Sequence, residues 1–354
     1  MKHTVKIVGC PEAKDLCNAN GLDGLDFEML STIRAARIGP IVAYLLRILQ
    51  SVRKSNMQSR AKIVYSSSDF LTDVIPAALM KRGNPRAIWI AGFYLKAEKP
   101  RYPWQIRSLA YFVSQRVAIK LMRKADLIHV VSVEDQRYLG HLVHKPAKII
   151  TPGVDQSLVA AATPLAKRFS ACFVGRFHSQ KGLDDLIAAW RLVVNRQPKA
   201  TLTIIGHGSV HWTNWLTRRI KEERLNNNVV LFGFLDEIDK FRIMKSCRVF
   251  VFPSRRESYG IVVIEALACG MPVIAYDIPA VREHFREGVL MAPSGNVSVL
   301  ADTIISVLKS RAKYEQLHKR ALAFSRSLEW HRTASGIMQE LRPRLNGLVS
   351  SEIG

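Results

Sequence analysis

The second half of the chain alternates short apolar runs with longer segments of helical period, and this restricts it to repeated βαβ units. Strands are predicted at 169–174, 201–205, 229–232, 249–252, 272–275 and 288–291. Helices are predicted between and after them at 183–194, 212–223, 236–246, 258–268, 280–285 and 297–311. The runs LTII and VFVF show no polar alternation, as expected for parallel strands covered on both faces. The expected class is α/β, with a parallel sheet between two helical layers.

The first half follows the same style with weaker punctuation. Strands are predicted at 5–8, 63–65, 87–90, 127–131 and 148–150, and helices at 40–54, 73–81 and 104–124. The chain's 354 residues suit two domains. The reading is a Rossmann-like domain at 1–152, a second at 153–328, and a helical tail at 329–354 that returns to the first. The two are expected to face each other across a cleft. Ligands of open α/β sheets bind outside the carboxyl ends of the strands. The loops after Val174, Ile205 and Phe252 are therefore the candidate site.

Composition narrows the partners. A net charge of +23 with 48% hydrophobic residues places the charge on a folded surface, which favours phosphate-bearing partners. Nucleic acid is one such class, but no helix-turn-helix, RNP-like, KH or zinc-finger signature is present, so the reading is of no nucleic-acid partner. The five cysteines are scattered without a CxxC pair, which supports neither a zinc site nor a disulfide framework. The amino-terminal stretch lacks the apolar core of a secretory signal, and the apolar run at 38–49 is too short to span a bilayer. A cytoplasmic protein, peripheral at the inner membrane face, is expected.

Three loops carry the chemistry. The loop after Val174 holds Arg176 and Lys181 on a tight strand-to-helix turn, where a guanidinium fork and an ammonium can clamp a diphosphate. The loop after Ile205 is Gly206-His207-Gly208. The loop after Phe252 places Glu257 before a helix and Glu265 two turns inside it. Gly260 allows close approach of an anion to free amides at that helix start. Glu265 lies among Ile264, Ala266 and Leu267, where an unpaired carboxylate is costly. It either pairs with a neighbouring Arg or binds a ribose diol.

In order, Gly175-Arg176…Lys181-Gly182, Gly206-His207-Gly208 and Glu257-x7-Glu265, followed by Gly270-x-Pro272, resemble the C-terminal domain of retaining glycosyltransferases of family 4, also called group 1. The resemblance covers about 169–310, with weaker echoes at 66–69, 125–132 and 151–155. It implies a GT-B-like fold and a hexosyltransferase that moves a sugar from a nucleotide-sugar, with retention, to a membrane-linked or cell-envelope glycan. It further implies that Arg176 and Lys181 bind the donor diphosphate and Glu257 contacts the donor sugar, these three being catalytic. Glu265 would hold the ribose, and Ser258, Tyr259, Gly260, Ile261, Val262, Gly206 and Gly208 would complete the donor site, with Gly233 and Phe234 near the base. No cofactor and no metal are implied, and no Asp-x-Asp tripeptide is present.

The first half departs from that pattern. The loop after the first strand has one glycine, Gly9, and no Gly-Gly pair, so this unit is either missing or divergent. The loop at 92–95 holds no histidine, and His129 reads as a core residue of a strand. Either the enzyme works with Asp69 or Tyr94 on the acceptor side, or the chain is a catalytically impaired partner subunit with an intact donor site. From Lys99 to Lys124 there is no acidic residue. Helical spacing puts Arg116, Lys120, Arg123 and Lys124 on one face and Ile106, Leu109, Val113 and Val117 on another, with Trp104 at the start. Such a helix suits an anionic membrane surface. Equally, it suits ordinary packing on the sheet.

Overall fold

A computed structural model describes residues 5–19, 24–30, 40–55, 61–100, 106–145 and 147–350. The chain forms two compact units, Met1–Ile149 with Pro343–Gly354, and Ile150–Arg342.

The second unit is a six-stranded parallel sheet, formed by β7 (Phe169–Val174), β8 (Leu202–Ile205), β9 (Val229–Phe232), β10 (Cys247–Phe252), β11 (Val273–Tyr276) and β12 (Val289–Ala292). The strands lie in the order β12-β11-β10-β7-β8-β9. This is the doubly wound order, in which the first and fourth strands of the unit are neighbours and the winding reverses between them. All six predicted strands are present. The helices Leu183–Arg196 and Val297–Lys309 pack on one another, and Ile261–Ala268 lies against β10 and β11. Phe173, Trp190, Phe250, Phe252, Tyr276 and Phe285 are fully buried, which explains the continuous apolar runs of these strands.

The first unit holds a four-stranded parallel sheet of β3 (Ile63–Ser66), β4 (Ile88–Gly92), β5 (Leu127–Val130) and β6 (Ala147–Ile149) in that order. β1 (Lys6–Gly9) pairs instead with β2 (Asp26–Met29) in a separate parallel ribbon. The first strand–loop–helix is thus present but divergent. The helix Pro11–Ala19 begins two residues after β1, leaving no room for a glycine-rich loop. Trp89, Phe93, Met122, Ile128 and Leu139 form the core of the four-stranded sheet. Three elements here were not predicted: β2, Pro11–Ala19 and Val133–Val143. The last begins at Ser132, whose side chain accepts from the Asp135 amide, an N-cap visible in the sequence as Ser-Val-Glu-Asp.

The helix expected at 104–124 runs from Ile106 to Met122, and Trp104 lies outside the described residues. Its expected apolar face is turned outward: Leu109, Val113 and Val117 are 40%, 52% and 43% exposed. Gln115, Ala118, Ile119 and Met122 are the buried ones. Apolar residues occur on every side of this helix, so its period could not choose the face that packs. The helix Pro40–Ser55 behaves alike, with Val42, Leu45 and Leu49 exposed and Ala43, Ser51 and Ser55 buried. The two serines can be buried because each hydroxyl donates to a carbonyl three residues back. The tail is one helix, Trp330–Ser350, with Pro343 inside it.

Candidate active site

The strand order makes β7 and β10 neighbours, so the loops that follow them, 175–182 and 253–260, meet at the carboxyl edge where the winding reverses. Several contacts lock them together. Gly182 has φ +63°, and a Cβ there would stand 2.1 Å from the Pro253 carbonyl oxygen. The Arg255 amide donates to the Gln180 carbonyl, 2.9 Å. The Arg255 guanidinium reaches Asp184 at 2.7 Å and Asp185 at 2.9 Å. The loop after β8 is tied in as well. The Phe177 amide donates to the His207 carbonyl, 2.7 Å, and a Cβ on Gly206 (φ +141°) would meet the Gly175 carbonyl oxygen at 2.0 Å.

Charge is concentrated on this edge. Lys181 Nζ lies 2.6 Å from Glu257 Oε1, so the two predicted loops bring an ammonium and a carboxylate into contact. Arg176 is exposed beside them. Burial, followed by the charges of Arg176 and Lys181, holds His178 below the usual imidazole range. Gly260 sits at φ +101° as the N-cap of Ile261–Ala268, and no side chain caps that helix. The amides of its first turn therefore point out with the positive end of the helix dipole. Ile261 is exposed and Val262 half-buried at that turn.

Glu265 is buried at 8% exposure and is held by a lysine rather than an arginine: Lys240 Nζ lies 3.0 Å from its Oε1. Its Oε2 is buried with no hydrogen-bond partner among the described residues. Burial raises the Glu265 pKa, and Lys240 opposes that rise. Sequence reasoning missed Lys240, because an isolated lysine in a helix reads as solvent-facing. It also passed over Arg255, whose two acidic partners follow Gly182.

The remaining predicted residues are distributed as follows. Ser258 is half-buried in the loop after β10. Tyr259 points into the core, its ring 4.5 Å from that of His284 and 5.4 Å from that of Phe285. Burial pushes its phenol up to about 12. Gly208 packs on Phe177, and a Cβ there would be 2.7 Å from that residue's Cβ. Gly233 is exposed, and Phe234, 74% exposed, meets the His207 ring edge-on at 5.6 Å. In the first unit, Asp69 is 5% exposed, and its Oδ2 accepts from Gln115 (2.6 Å) and Tyr111 (3.4 Å). Burial raises its pKa. Gln115 also binds Leu95 and Ala97, so Asp69 braces the segment after β4. Tyr94 is half-buried and shares a hydrogen bond of 2.9 Å with Tyr65. His129 is 2% exposed on β5. Arg116 is exposed over the Phe112 ring, and Lys120 is exposed. Arg123 and Lys124 follow the helix end rather than extending its face, and Arg123 is tied to the Leu142 carbonyl at 2.7 Å. Among the described residues, no three His, Cys, Asp or Glu side chains are grouped to hold a metal ion, and no helix is long and apolar enough to cross a membrane.

Residues 159–324, which carry all three loops, match the family described as "Glycosyl transferases group 1". The second unit is a group 1 glycosyltransferase domain. The chain is 30% identical over 247 residues to the phosphatidyl-myo-inositol mannosyltransferase of Mycobacterium tuberculosis, covering 66% of this chain and 64% of that protein. It is 28% identical over 228 residues to the D-inositol 3-phosphate glycosyltransferase of Segniliparus rotundus, covering 59% and 51%. The chain thus spans less than two thirds of the length of these relatives. Among solved structures, it resembles HepE of Anabaena in complex with UDP and glucose, with a TM-score of 0.76 at 17% identity over 96% of this chain and 100% of that one. Sucrose-phosphate synthase of Thermosynechococcus elongatus gives 0.74 at 18% identity over 95% and 93%. These likenesses extend to the whole chain, and the fold is of the GT-B class, including the unit whose sequence departs most from the pattern.

Proposed function

We propose that the protein is a retaining glycosyltransferase that moves a hexose from a nucleotide-sugar to a membrane-linked or cell-envelope glycan, without a metal ion. The observation that carries this reading is the meeting of Lys181 and Glu257 at the reversal of the sheet, beside the uncapped helix start at Gly260. The donor diphosphate would draw Lys181 and Arg176 to it and would sit on the amides of Gly260, Ile261 and Val262. These donors stabilise the charge that develops on the departing phosphate. Glu257, released from Lys181, would orient the sugar hydroxyls. The sugar–phosphate bond breaks as the acceptor hydroxyl attacks C1 from the same face. Its proton passes to the departing phosphate oxygen, so no separate base is required.

The exposed stripe Leu109, Val113 and Val117, with Arg116 and Lys120 alongside, supports attachment to an anionic membrane carrying the acceptor. The mannosyltransferase relative is named for a phosphatidyl-inositol acceptor, and the HepE structure holds UDP and glucose, which agrees with a lipid-linked acceptor and a nucleotide-sugar donor. A cytoplasmic location at the inner membrane face follows from that reading.

The test is a thermal-shift panel of UDP, GDP and ADP and their sugars, followed by turnover with the sugar nucleotide that stabilises. One base is expected to raise the melting temperature, and Lys181→Ala and Glu265→Ala are expected to abolish that shift. Unchanged donor binding in both variants would sink the proposal. Turnover of any sugar nucleotide by the isolated chain, hydrolysis included, excludes the impaired-subunit reading.

A further inference from the structure

Lys240 is a buried cation in a domain whose basic residues are mostly at the surface. It is 8% exposed, on the helix Glu237–Lys245. Its three ammonium protons have three acceptors: Glu237 Oε1 and Oε2, both at 2.8 Å, and Glu265 Oε1 at 3.0 Å. The ammonium also lies over the Phe241 ring, 4.7 Å from its centre. This arrangement fixes one oxygen of Glu265 and leaves the other, the buried Oε2, without a partner among the described residues. A carboxylate in such a place is unstable as an anion unless a fixed cation keeps it charged, and a buried oxygen with no donor is costly unless a ligand supplies one. Glu237 stands on the outer side of the lysine, with its side chain 44% exposed, and completes a carboxylate–ammonium–carboxylate row from surface to interior.

We propose that Lys240 is a positioning residue that holds Glu265 charged and oriented as the acceptor for a ribose hydroxyl, and so gives the site its preference for ribonucleotides. The proposal rests on the donor-site reading above, and on Glu265 being the group that meets the ribose. It goes further in assigning sugar-ring discrimination within the nucleotide to a residue outside the three candidate loops. A hydrogen bond from a ribose hydroxyl to a desolvated carboxylate is charge-assisted, and its loss is expected to weaken binding by roughly tenfold or more.

The experiment compares the wild type, Lys240→Met and Lys240→Arg. Calorimetry measures the binding of UDP, GDP and ADP, the 2′-deoxy and 3′-deoxy forms of whichever binds, and pyrophosphate. The wild type is expected to prefer the ribose form over at least one deoxy form by roughly tenfold. In Lys240→Met the ribose form should weaken to the level of the deoxy form, while pyrophosphate and the deoxy form bind as before. Lys240→Arg should restore part of the preference. Glu237→Gln, at a half-exposed position, leaves the Lys240–Glu265 contact in place and serves if Lys240→Met does not fold. It is expected to reduce the preference by a smaller factor. Full retention of the ribose preference in Lys240→Met, or in Glu237→Gln where that variant is the one measured, overturns the proposal. So does an equal loss of all three ligand forms, which indicates a merely structural role. Failure of the wild type to bind any nucleoside diphosphate overturns the donor-site reading itself, and this proposal with it.

Discussion

At the scale of single residues, the candidate site brings opposed charges into contact, and the proposed donor would separate them. Lys181 Nζ and Glu257 Oε1 lie 2.6 Å apart, so the two charges neutralise one another. Replacing Lys181 by alanine removes the proposed diphosphate contact and leaves Glu257 without its ion-pair partner. Turnover, measured as kcat/KM with the preferred donor, is expected to fall by roughly 100-fold or more. His178 offers a pH readout. Burial and the nearby Arg176 and Lys181 lower its pKa, so below about pH 6.5 the unfolded chain binds more protons at this position than the folded one. Stability from this residue is therefore complete above that pH and declines as the pH falls toward the folded-state value. Urea melts at pH 7 and pH 5.5 should show the loss, and His178→Gln should reduce the difference between them. The meeting of the loops that carry Lys181 and Glu257 was legible because the order of their residues along the chain is distinctive. Lys240 was not, because what buries a lysine is a carboxylate brought to it by a different helix, and sequence spacing carries no trace of that meeting.

At the scale of elements, the loops after β7 and β10 are held by geometry rather than by any one charge. Gly182→Ala puts a methyl group against the Pro253 carbonyl at a left-handed φ. It is expected to cost about 1–3 kcal/mol and to lower donor affinity, as read by chemical melts and calorimetry. The helix Ile106–Met122 shows what period alone cannot decide. Its apolar residues encircle it, and the face that packs was chosen by Ala118, Ile119 and Met122 meeting the sheet. Outward Leu109, Val113 and Val117 make a second expectation. Replacing all three with serine should leave the melting temperature within a few degrees and abolish co-sedimentation with vesicles of anionic phospholipid. Retained co-sedimentation would remove this helix from the membrane-facing reading. The strand Asp26–Met29 escaped prediction because four residues bearing two acids carry no strand signal, and it exists only by pairing with Lys6–Gly9.

At the scale of the whole molecule, the charge of +23 divides into parts with different work. Arg176 and Lys181 stand in the loop after β7, where the donor is proposed to bind, and Lys240 is buried inside the second unit. Arg116 and Lys120 flank the outward stripe of the first unit. Vesicle binding driven by such exposed cations is expected to weaken steeply as salt rises from 50 to 500 mM, whereas donor affinity, proposed to rest in part on the buried Glu265, should change less. A parallel salt series on the two assays checks this. The architecture of the second unit was nearly all legible, because buried parallel strands and their helices have distinct periods. In the first unit the four strands of the larger sheet, β1 and the helices Pro40–Ser55, Leu71–Gly83 and Ile106–Met122 were legible from their apolar runs and period, whereas β2, which carries two acids in four residues, was not.

The interlocking of the two loops has a consequence for how this protein can be changed. Gly182 abuts Pro253, Gln180 receives the Arg255 amide, and Arg255 spans to Asp184 and Asp185. Exchange of either loop alone is expected to disturb these contacts, and exchange of both together to keep them. Sequence differences in the two segments should be inherited together, and a laboratory search for a new donor will advance by paired exchanges where single ones stall.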